Sequence, residues 1–258
     1  MQLLGHDPDS LARAALRLAD LQIGAVNLNF ACPSATVNAS GNGGALLKDL
    51  KRVEEIIRAV QQAVGNKMSL SVKLRCGWED PAEIPEVAEL INRCAVPWVI
   101  CHFRTVREKY QSVPDGWKRL KEFRSRLRPE TVFFGNGDIV TADHAEQMMA
   151  QTQCDGVAVG RAILQNPFLL KHLRNGITEL SEADRQQESM LFLKTLLAVP
   201  QTYPSLAEQW SRNSFLEYCR MAFGRDSRCF QELARMSERE IREYFAKTEW
   251  EICKNIEP

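Results

Sequence analysis

One cysteine of the chain stands directly before a proline, where an apolar run gives way to a polar, glycine-rich stretch. It is Cys32, in the run "NLNFACPSATVNASGNGG" of residues 27–44. No general base lies nearby in sequence and no oxyanion signature accompanies it, so a role as acyl-transfer nucleophile is weakly supported. A proton donor fits the position better, because "ACP" follows a predicted strand rather than lying within it. The alternative is a small, buried packing residue.

Polar residues also end the other short apolar runs of the first two thirds of the chain. They are Asn29 at the second run, Lys73 and Arg75 at the third, His102 and Arg104 at the fourth, Asn136, Gly137 and Asp138 at the fifth, and Gly160 and Arg161 at the sixth. Each alone is more often a surface or structural residue. Their convergence on one edge of a parallel sheet favours a functional site over that alternative.

The residue types at this edge point to one chemistry. Lysine and histidine place positive charge and a hydrogen-bond donor beside a group that accumulates negative charge. Glycine-rich ends such as "GNGD" and "VGR" let backbone N–H groups approach a phosphate, with which a following arginine can pair. The combination suits a phosphorylated cofactor with a reducible ring.

The run "SGNGGALL", residues 40–47, lacks both common phosphate-loop spacings and is predicted to be a loop leading into a helix.

The elements that must position these residues alternate between short apolar runs and amphipathic segments, which is typical of βα units with a parallel sheet. Helical periodicity covers 50–64, with Gly65 at the C-terminal cap, and recurs over 84–91 and 145–149. Six strands are predicted, at residues 2–5, 25–30, 70–75, 98–103, 132–137 and 156–161.

The strand pattern ends near residue 180, and the remaining segments read as helices. Ser237 and Glu240 form a capping box for the last of them. We therefore expect a catalytic domain over 1–178 and a small helical domain over 179–258, joined by the polar segment 175–184. Six βα units are two short of a closed (β/α)8 barrel, so the first domain is either an open six-stranded sheet or a barrel lacking two units.

Composition narrows the class of protein. The 258 residues are 45% apolar, which predicts a globular chain, and the 33 acidic and 33 basic residues balance. With no net charge, the protein has no overall electrostatic attraction for nucleic acid or an anionic membrane. Any polyanionic partner must therefore be held by a local basic patch. The eight cysteines show no zinc-ligand spacing, and neither a signal peptide nor a membrane-length apolar run is present. These features predict a cytoplasmic protein with free thiols and no metal site.

Read together, the motifs resemble the flavin-dependent tRNA-dihydrouridine synthases. The run "VNLNFACPSATVNASGNGGALLKD", residues 26–49, looks like the family's signature loop, and it is most similar to the branch that modifies uridine 16 of the tRNA D-loop. The supporting matches stand in the family's order: "SVKLRCGW" (71–78), "HFRTVREKY" (102–110), "GNGDI" (135–139) and "VGRAIL" (159–164).

The resemblance implies a TIM-barrel type α/β fold lacking its first two βα units, followed by a helical domain that helps to hold tRNA. FMN reduced by NADPH would deliver hydride to C6 of a flipped-out uracil, and Cys32 would protonate C5. Asn29, Arg75 and Arg104 would contact the substrate, and the chain is expected to be a monomer. The implied cofactor residues are Gln2, Lys73 and His102 at the flavin ring and Asn136, Gly137, Asp138, Gly160 and Arg161 at the phosphate side.

The chain departs from the family pattern in several places. The opening Ala-Pro-Met strand and the next βα unit have no counterpart, and Phe103 stands where glycine usually follows the histidine. The basic, tryptophan-containing helix of this branch has only Trp210, Arg212 and Arg220 as its counterparts here. Two alternatives to an active synthase are therefore open: a truncated, non-catalytic paralogue, and another FMN barrel oxidoreductase acting on a small substrate.

Overall fold

In the computed structural model, residues 1–177, 179–202 and 211–247 are described. Six parallel strands form one sheet in which each strand pairs with the next along the chain. The strands are β1 (Gln2–Leu3), β2 (Ala25–Asn29), β3 (Ser69–Arg75), β4 (Trp98–His102), β5 (Val132–Asn136) and β6 (Gly156–Ala158). All six predicted strands are present, and their parallel order confirms the predicted α/β class.

The two faces of the sheet differ in chemistry. On β2, Val26 and Leu28 are fully buried, whereas Asn27 and Asn29 point to the other side and are partly exposed. Paired residues of neighbouring strands share a face, so the strand register carries this division across the sheet. We call the side that bears Asn27, Asn29 and their paired neighbours the inner face. Consequently, the polar residues at the ends of the strands project from the inner face.

Helices follow the strands along the chain. The helices of this part are α1 (Pro8–Asp20), α2 (Ala35–Ala39), α3 (Leu50–Val64), α4 (Ile84–Arg93), α5 (Gly116–Arg126) and α6 (Ala142–Thr152). The predicted helix over 50–64 is confirmed at both ends. The Asp49 side chain accepts from the Arg52 N–H at 3.0 Å, and Gly65 has φ +51°, which glycine adopts readily.

The chain divides into two compact units. The first comprises Met1–Ile139 and Asp143–Gly160, and the second comprises Val140–Ala142 with the chain from Arg161 onward. The domain boundary expected at residue 178 falls on a position outside the described residues.

The regular secondary structure described in the second unit is all helical, as the sequence predicts. Its helices beyond residue 160 are α7 (Ala162–Gln165), α8 (Leu169–Asn175), α9 (Glu182–Thr202), α10 (Arg212–Phe223), α11 (Arg228–Arg235) and α12 (Glu238–Lys247). Phe215, Leu233 and Ile241 are among the residues of its core. The predicted capping box is present, because Ser237 N–H donates to the Glu240 carboxylate at 2.7 Å and Glu240 N–H donates to the Ser237 hydroxyl at 3.3 Å. Across the described segments, no helix combines the length and apolar character that a membrane crossing requires.

Candidate active site

Cys32 lies in the loop after β2, and the last residue of that strand fixes its backbone. The Asn29 side-chain oxygen accepts hydrogen bonds from the N–H groups of Ala31 at 2.9 Å and Cys32 at 3.1 Å. The Cys32 residue is half-buried and its thiol is free. The local turn therefore holds the cysteine at the carboxyl edge of the sheet, where the sequence predicts a proton donor.

Two glycines pack directly against this cysteine. The Gly44 N–H donates to the Cys32 carbonyl at 3.0 Å. A Cβ atom on Gly43, which has φ +61°, would lie 2.9 Å from the Cys32 Cβ, and one on Gly44 would lie 2.7 Å from a methyl group of Val106. The stretch Gly43–Lys48 forms a 3-10 helix that leads into α3, and its two glycines allow the backbone to approach Cys32 closely.

The strand register brings the predicted residues of β2 to β5 together. Asn29 pairs with Lys73, Arg75 pairs with His102, and His102 pairs with Asn136. These side chains therefore share the inner face near the carboxyl edge of the sheet.

Lys73 is the least satisfied charge in this group. It is half-buried, and its ammonium has no hydrogen-bond or ion-pair partner among the described residues. Burial, reinforced by the positive charge of Arg75, lowers the pKa of Lys73. A partly desolvated cation without an anion is costly, and this arrangement favours an electron-rich or anionic ligand beside it.

His102 is held as a neutral donor. Burial and the nearby cations Arg75, Lys73 and Arg104 lower its pKa to about 3. Its Nδ1 atom accepts a hydrogen bond from the Arg104 backbone N–H at 3.1 Å. The proton of the neutral ring must therefore sit on Nε2, which makes this nitrogen a hydrogen-bond donor.

Arg75 links the Cys32 loop to the loop that follows β4. Its guanidinium is almost fully buried and donates through Nε to the Ala31 carbonyl at 2.8 Å, and through Nη1 to the Thr105 and Lys109 carbonyls at 2.9 and 3.1 Å. In the described part of the chain, Nη2 has no hydrogen-bond partner. Arg75 thus has a positioning role that its sequence context did not reveal.

Arg104 and Asp138 bind each other. Nη1 and Nη2 of Arg104 contact the two carboxylate oxygens of Asp138 at 3.0 and 2.5 Å, and Nε donates to the Gln111 carbonyl at 2.5 Å. The predicted substrate role of Arg104 and cofactor role of Asp138 involve side chains that here neutralise one another. Asn136 is similarly engaged, since its amide donates to the Ala158 carbonyl of β6 at 2.5 Å.

A row of amide and hydroxyl groups crosses the first three strands. Asn29 donates to Gln2 at 2.9 Å, Gln2 donates to Asn27 at 2.7 Å, and Asn27 donates to the Ser71 hydroxyl at 2.9 Å. Asn27 and Ser71 were not singled out from the sequence. The signal for them is the alternation in "NLN" and "SVK", which assigns every second residue to the inner face.

The glycines near the predicted phosphate differ in their surroundings. A Cβ on Gly137, which has φ +131°, would lie 2.3 Å from the Phe103 ring, so this glycine is required by packing and by conformation. A Cβ on Gly160 would meet no atom within 4 Å. Packing within the described residues therefore does not explain glycine at position 160. Arg161 belongs to the second unit and stands at the N-cap position of α7.

The basic residues predicted in the helical part are used within that unit. Arg212 donates to the carbonyls of Met236 and Ala234 at 2.6 and 2.5 Å, and Arg220 forms an ion pair with Glu217. Trp210 lies outside the described residues.

Comparison with known proteins identifies the family. The family model described as dihydrouridine synthase (Dus) matches residues 1–256. The chain belongs to the dihydrouridine synthase family. This membership agrees with the motif resemblance. It argues against the alternative of an FMN barrel oxidoreductase from another family.

Among the relatives of this dihydrouridine synthase family member are two curated bacterial proteins. The tRNA-dihydrouridine(16) synthase of Shigella flexneri is 30% identical over 241 residues, which cover 90% of this chain and 72% of that protein. The tRNA-dihydrouridine(16) synthase of Haemophilus influenzae is 33% identical over 180 residues, covering 70% of this chain and 57% of its own length. The aligned region thus spans between about half and three quarters of these relatives.

A solved structure supports the fold. The ligand-free DHODH of Eimeria tenella superposes with a TM-score of 0.51 at 12% identity, covering 66% of this chain and 55% of that protein. At this identity the similarity concerns the fold alone.

Proposed function

We propose that this chain is a tRNA-dihydrouridine synthase that uses FMN and NADPH to reduce a D-loop uridine, at position 16, to 5,6-dihydrouridine in the cytoplasm. The observation that carries the proposal is the half-buried Lys73 ammonium, which has no anionic partner in the described chain and lies on the same face as the neutral donor His102. Family membership and the names of the relatives supply the substrate class.

The donor set fits a flavin. A lysine cation and an imidazole Nε2–H suit the electron-rich pyrimidine edge of an isoalloxazine ring, and the Gln2 amide borders the same face. On the phosphate side we assign backbone groups of Asn136, Gly137, Asp138 and Gly160. The open side of Gly160 supports close approach of a ligand there. Arg161 is assigned to the phosphate on the sequence resemblance.

Lys73, His102 and Gln2 would hold the FMN ring, which, once reduced by NADPH, would supply the hydride for C6 of the uracil. Cys32 then provides the proton for C5 from its thiol, whose position depends on Asn29 and on the two packed glycines. Arg75 Nη2 and Asn29 are assigned to the substrate uridine. Arg104, whose three nitrogens are already engaged, acts on the substrate only by holding the loop that follows β4.

The test begins with the purified chain and FMN. We expect saturable binding, followed by visible absorbance, and then NADPH-dependent conversion of uridine in unmodified full-length tRNA. The product is detected as a mass gain of two hydrogen atoms and mapped to a position by nuclease digestion. Parallel reactions with NADH decide the donor preference. If FMN does not bind at tens of micromolar, the chain is the non-catalytic paralogue rather than a synthase.

The Cys32→Ala variant tests the proton donor. We expect it to bind FMN normally but to lose at least about a hundredfold in dihydrouridine formation, because the C5 proton then lacks its acid. Cys94→Ala is the matched control, since Cys94 is the C-cap of α4 and lies at the opposite edge of the sheet. Full turnover by Cys32→Ala would remove Cys32 from the mechanism.

A further inference from the structure

A half-buried tryptophan at the carboxyl edge of the sheet, Trp78, is flanked by two cations. The Lys48 Nζ lies 4.2 Å from the centroid of the Trp78 ring, and the Arg107 Cζ lies 5.8 Å from it. Both distances are within the range of cation–π attraction. The three residues come from the segments that follow β2, β3 and β4, so they border the same edge as Cys32. We call Lys48, Trp78 and Arg107 the rim patch.

The backbone beneath the rim patch is well fixed. The Glu83 carboxylate accepts hydrogen bonds from the N–H groups of Trp78, Glu79 and Asp80, at 2.7, 2.9 and 2.8 Å. The Arg107 N–H donates to the Trp78 carbonyl at 2.9 Å, which joins the loops after β3 and β4. The two cations are therefore presented on an ordered scaffold rather than on free loops.

The charges of the rim patch are poorly compensated within the chain. In the part that the structure describes, Lys48 has no ion-pair partner. Arg107 approaches the Glu79 carboxylate at 3.5 Å, but both side chains are more than 60% exposed, and such a pair contributes little. Two like charges gathered around one ring repel each other, so an external polyanion would stabilise the arrangement.

We propose that the rim patch binds backbone phosphates of the tRNA strand next to the target nucleotide, with Trp78 holding the two cations in place. This inference rests on the proposed function, because tRNA is the polyanion it invokes. The chain has 33 acidic and 33 basic residues and so no net charge that would attract a nucleic acid. The rim patch would supply the necessary positive charge locally, beside the active site. Contacts to phosphate position the RNA and carry no sequence information.

The experiment measures tRNA binding to the full chain at several salt concentrations. Lys48→Gln and Arg107→Gln are each expected to weaken binding about fivefold at about 0.1 M salt, and to reduce the slope of log K against log salt by about 0.7. The double variant should lose about 25-fold. The control is Lys67→Gln, an equal loss of charge at the opposite edge of the sheet, which should leave the affinity and the slope unchanged.

FMN titration and thermal unfolding of each variant verify that fold and cofactor site are intact. If the wild type reduces tRNA and the rim variants match Lys67→Gln in affinity and slope, the rim patch proposal is overturned while the proposed function stands. If the wild type neither binds nor reduces tRNA, both the rim patch proposal and the proposed function are overturned. A loss confined to the rim variants, with flavin binding intact, supports the phosphate contact.

Discussion

Nδ1 of His102 accepts a hydrogen bond from the backbone N–H of Arg104, 3.1 Å away, which leaves Nε2 as the protonated nitrogen of a neutral ring. Burial of the ring and three nearby cations lower the pKa of His102 to about 3, while Asp138 opposes the shift. An imidazolium would repel Lys73 and could not accept the Arg104 bond. The site thus excludes the charged form throughout the physiological pH range.

The depressed pKa of His102 makes the stability of the apoprotein depend on pH. The ordinary pKa of histidine is about 6.5. Between about pH 6 and pH 3 the unfolded chain therefore binds a proton at His102 that the folded chain does not bind. The free energy of unfolding should therefore fall as the pH falls, by up to about 1.4 kcal/mol per pH unit from this group. Urea unfolding of wild type and His102→Gln at pH 7, 6, 5 and 4 isolates the contribution. Parallel curves for the two proteins would contradict the depressed pKa.

Gly44 offers a test of how tightly the Cys32 loop is packed. A Cβ at this position would lie 2.9 Å from the Cys32 carbonyl oxygen and 2.7 Å from Val106, so Gly44→Ala must displace the cysteine. We expect a loss of about 1–3 kcal/mol in stability and at least about a tenfold lower rate of tRNA reduction.

Gly24→Ala is the matched control for this substitution, because its Cβ would meet nothing within 4 Å and its φ is not positive. Its stability should change by no more than about 0.5 kcal/mol. Equal effects of the two alanines, measured by urea unfolding and turnover, would mean that the glycine packing does not position Cys32.

The sheet was predictable because its strands carry two strong signals. Buried runs such as "LSVKLR" recur between helices with clear periodicity, and parallel strands place their polar ends at one edge. The convergence of Asn29, Lys73 and His102 therefore followed from the sequence. Helix α1 was not predicted, although Asp7, which caps it at 2.8 Å from Ser10 N–H, is a recognisable start signal.

The partners of the charged side chains could not be read from the sequence. Arg75 and Arg104 were expected at the substrate, but an arginine in a loop-rich site can equally bind backbone carbonyls, and only the folded loop positions decide between them. Asp138 meets Arg104 across 34 positions of the chain, a pairing that no local pattern encodes. The ring of Phe103, which stands where the family pattern has a glycine, packs against Gly116 and Gly137, and this contact between distant segments is not encoded locally.

Arg75 is expected to stabilise both loops that border the site. Arg75→Met removes three charge-assisted bonds to backbone carbonyls and should cost about 2–4 kcal/mol in the free energy of unfolding. Limited proteolysis should then cleave first within 31–49 or 104–111. Arg58→Met, which removes an exposed pair with Glu54, should cost less than about 1 kcal/mol. If both variants lose the same stability and resist proteolysis alike, Arg75 does not hold the loops.

Lys73 is expected to lower the stability of the apoprotein and to raise its affinity for FMN. Because its ammonium is half-buried without an anion in the described chain, Lys73→Met is expected to raise the stability of the apoprotein by about 1 kcal/mol. The same change removes the cation that we assign to the flavin ring, so FMN affinity should fall at least about tenfold. Thermal unfolding with and without FMN measures both effects, since a ligand that binds only the folded state raises the midpoint. Lys67→Met, exposed at the opposite edge, should alter neither. A less stable apoprotein with unchanged FMN affinity would show that Lys73 serves the fold and that the flavin lies elsewhere.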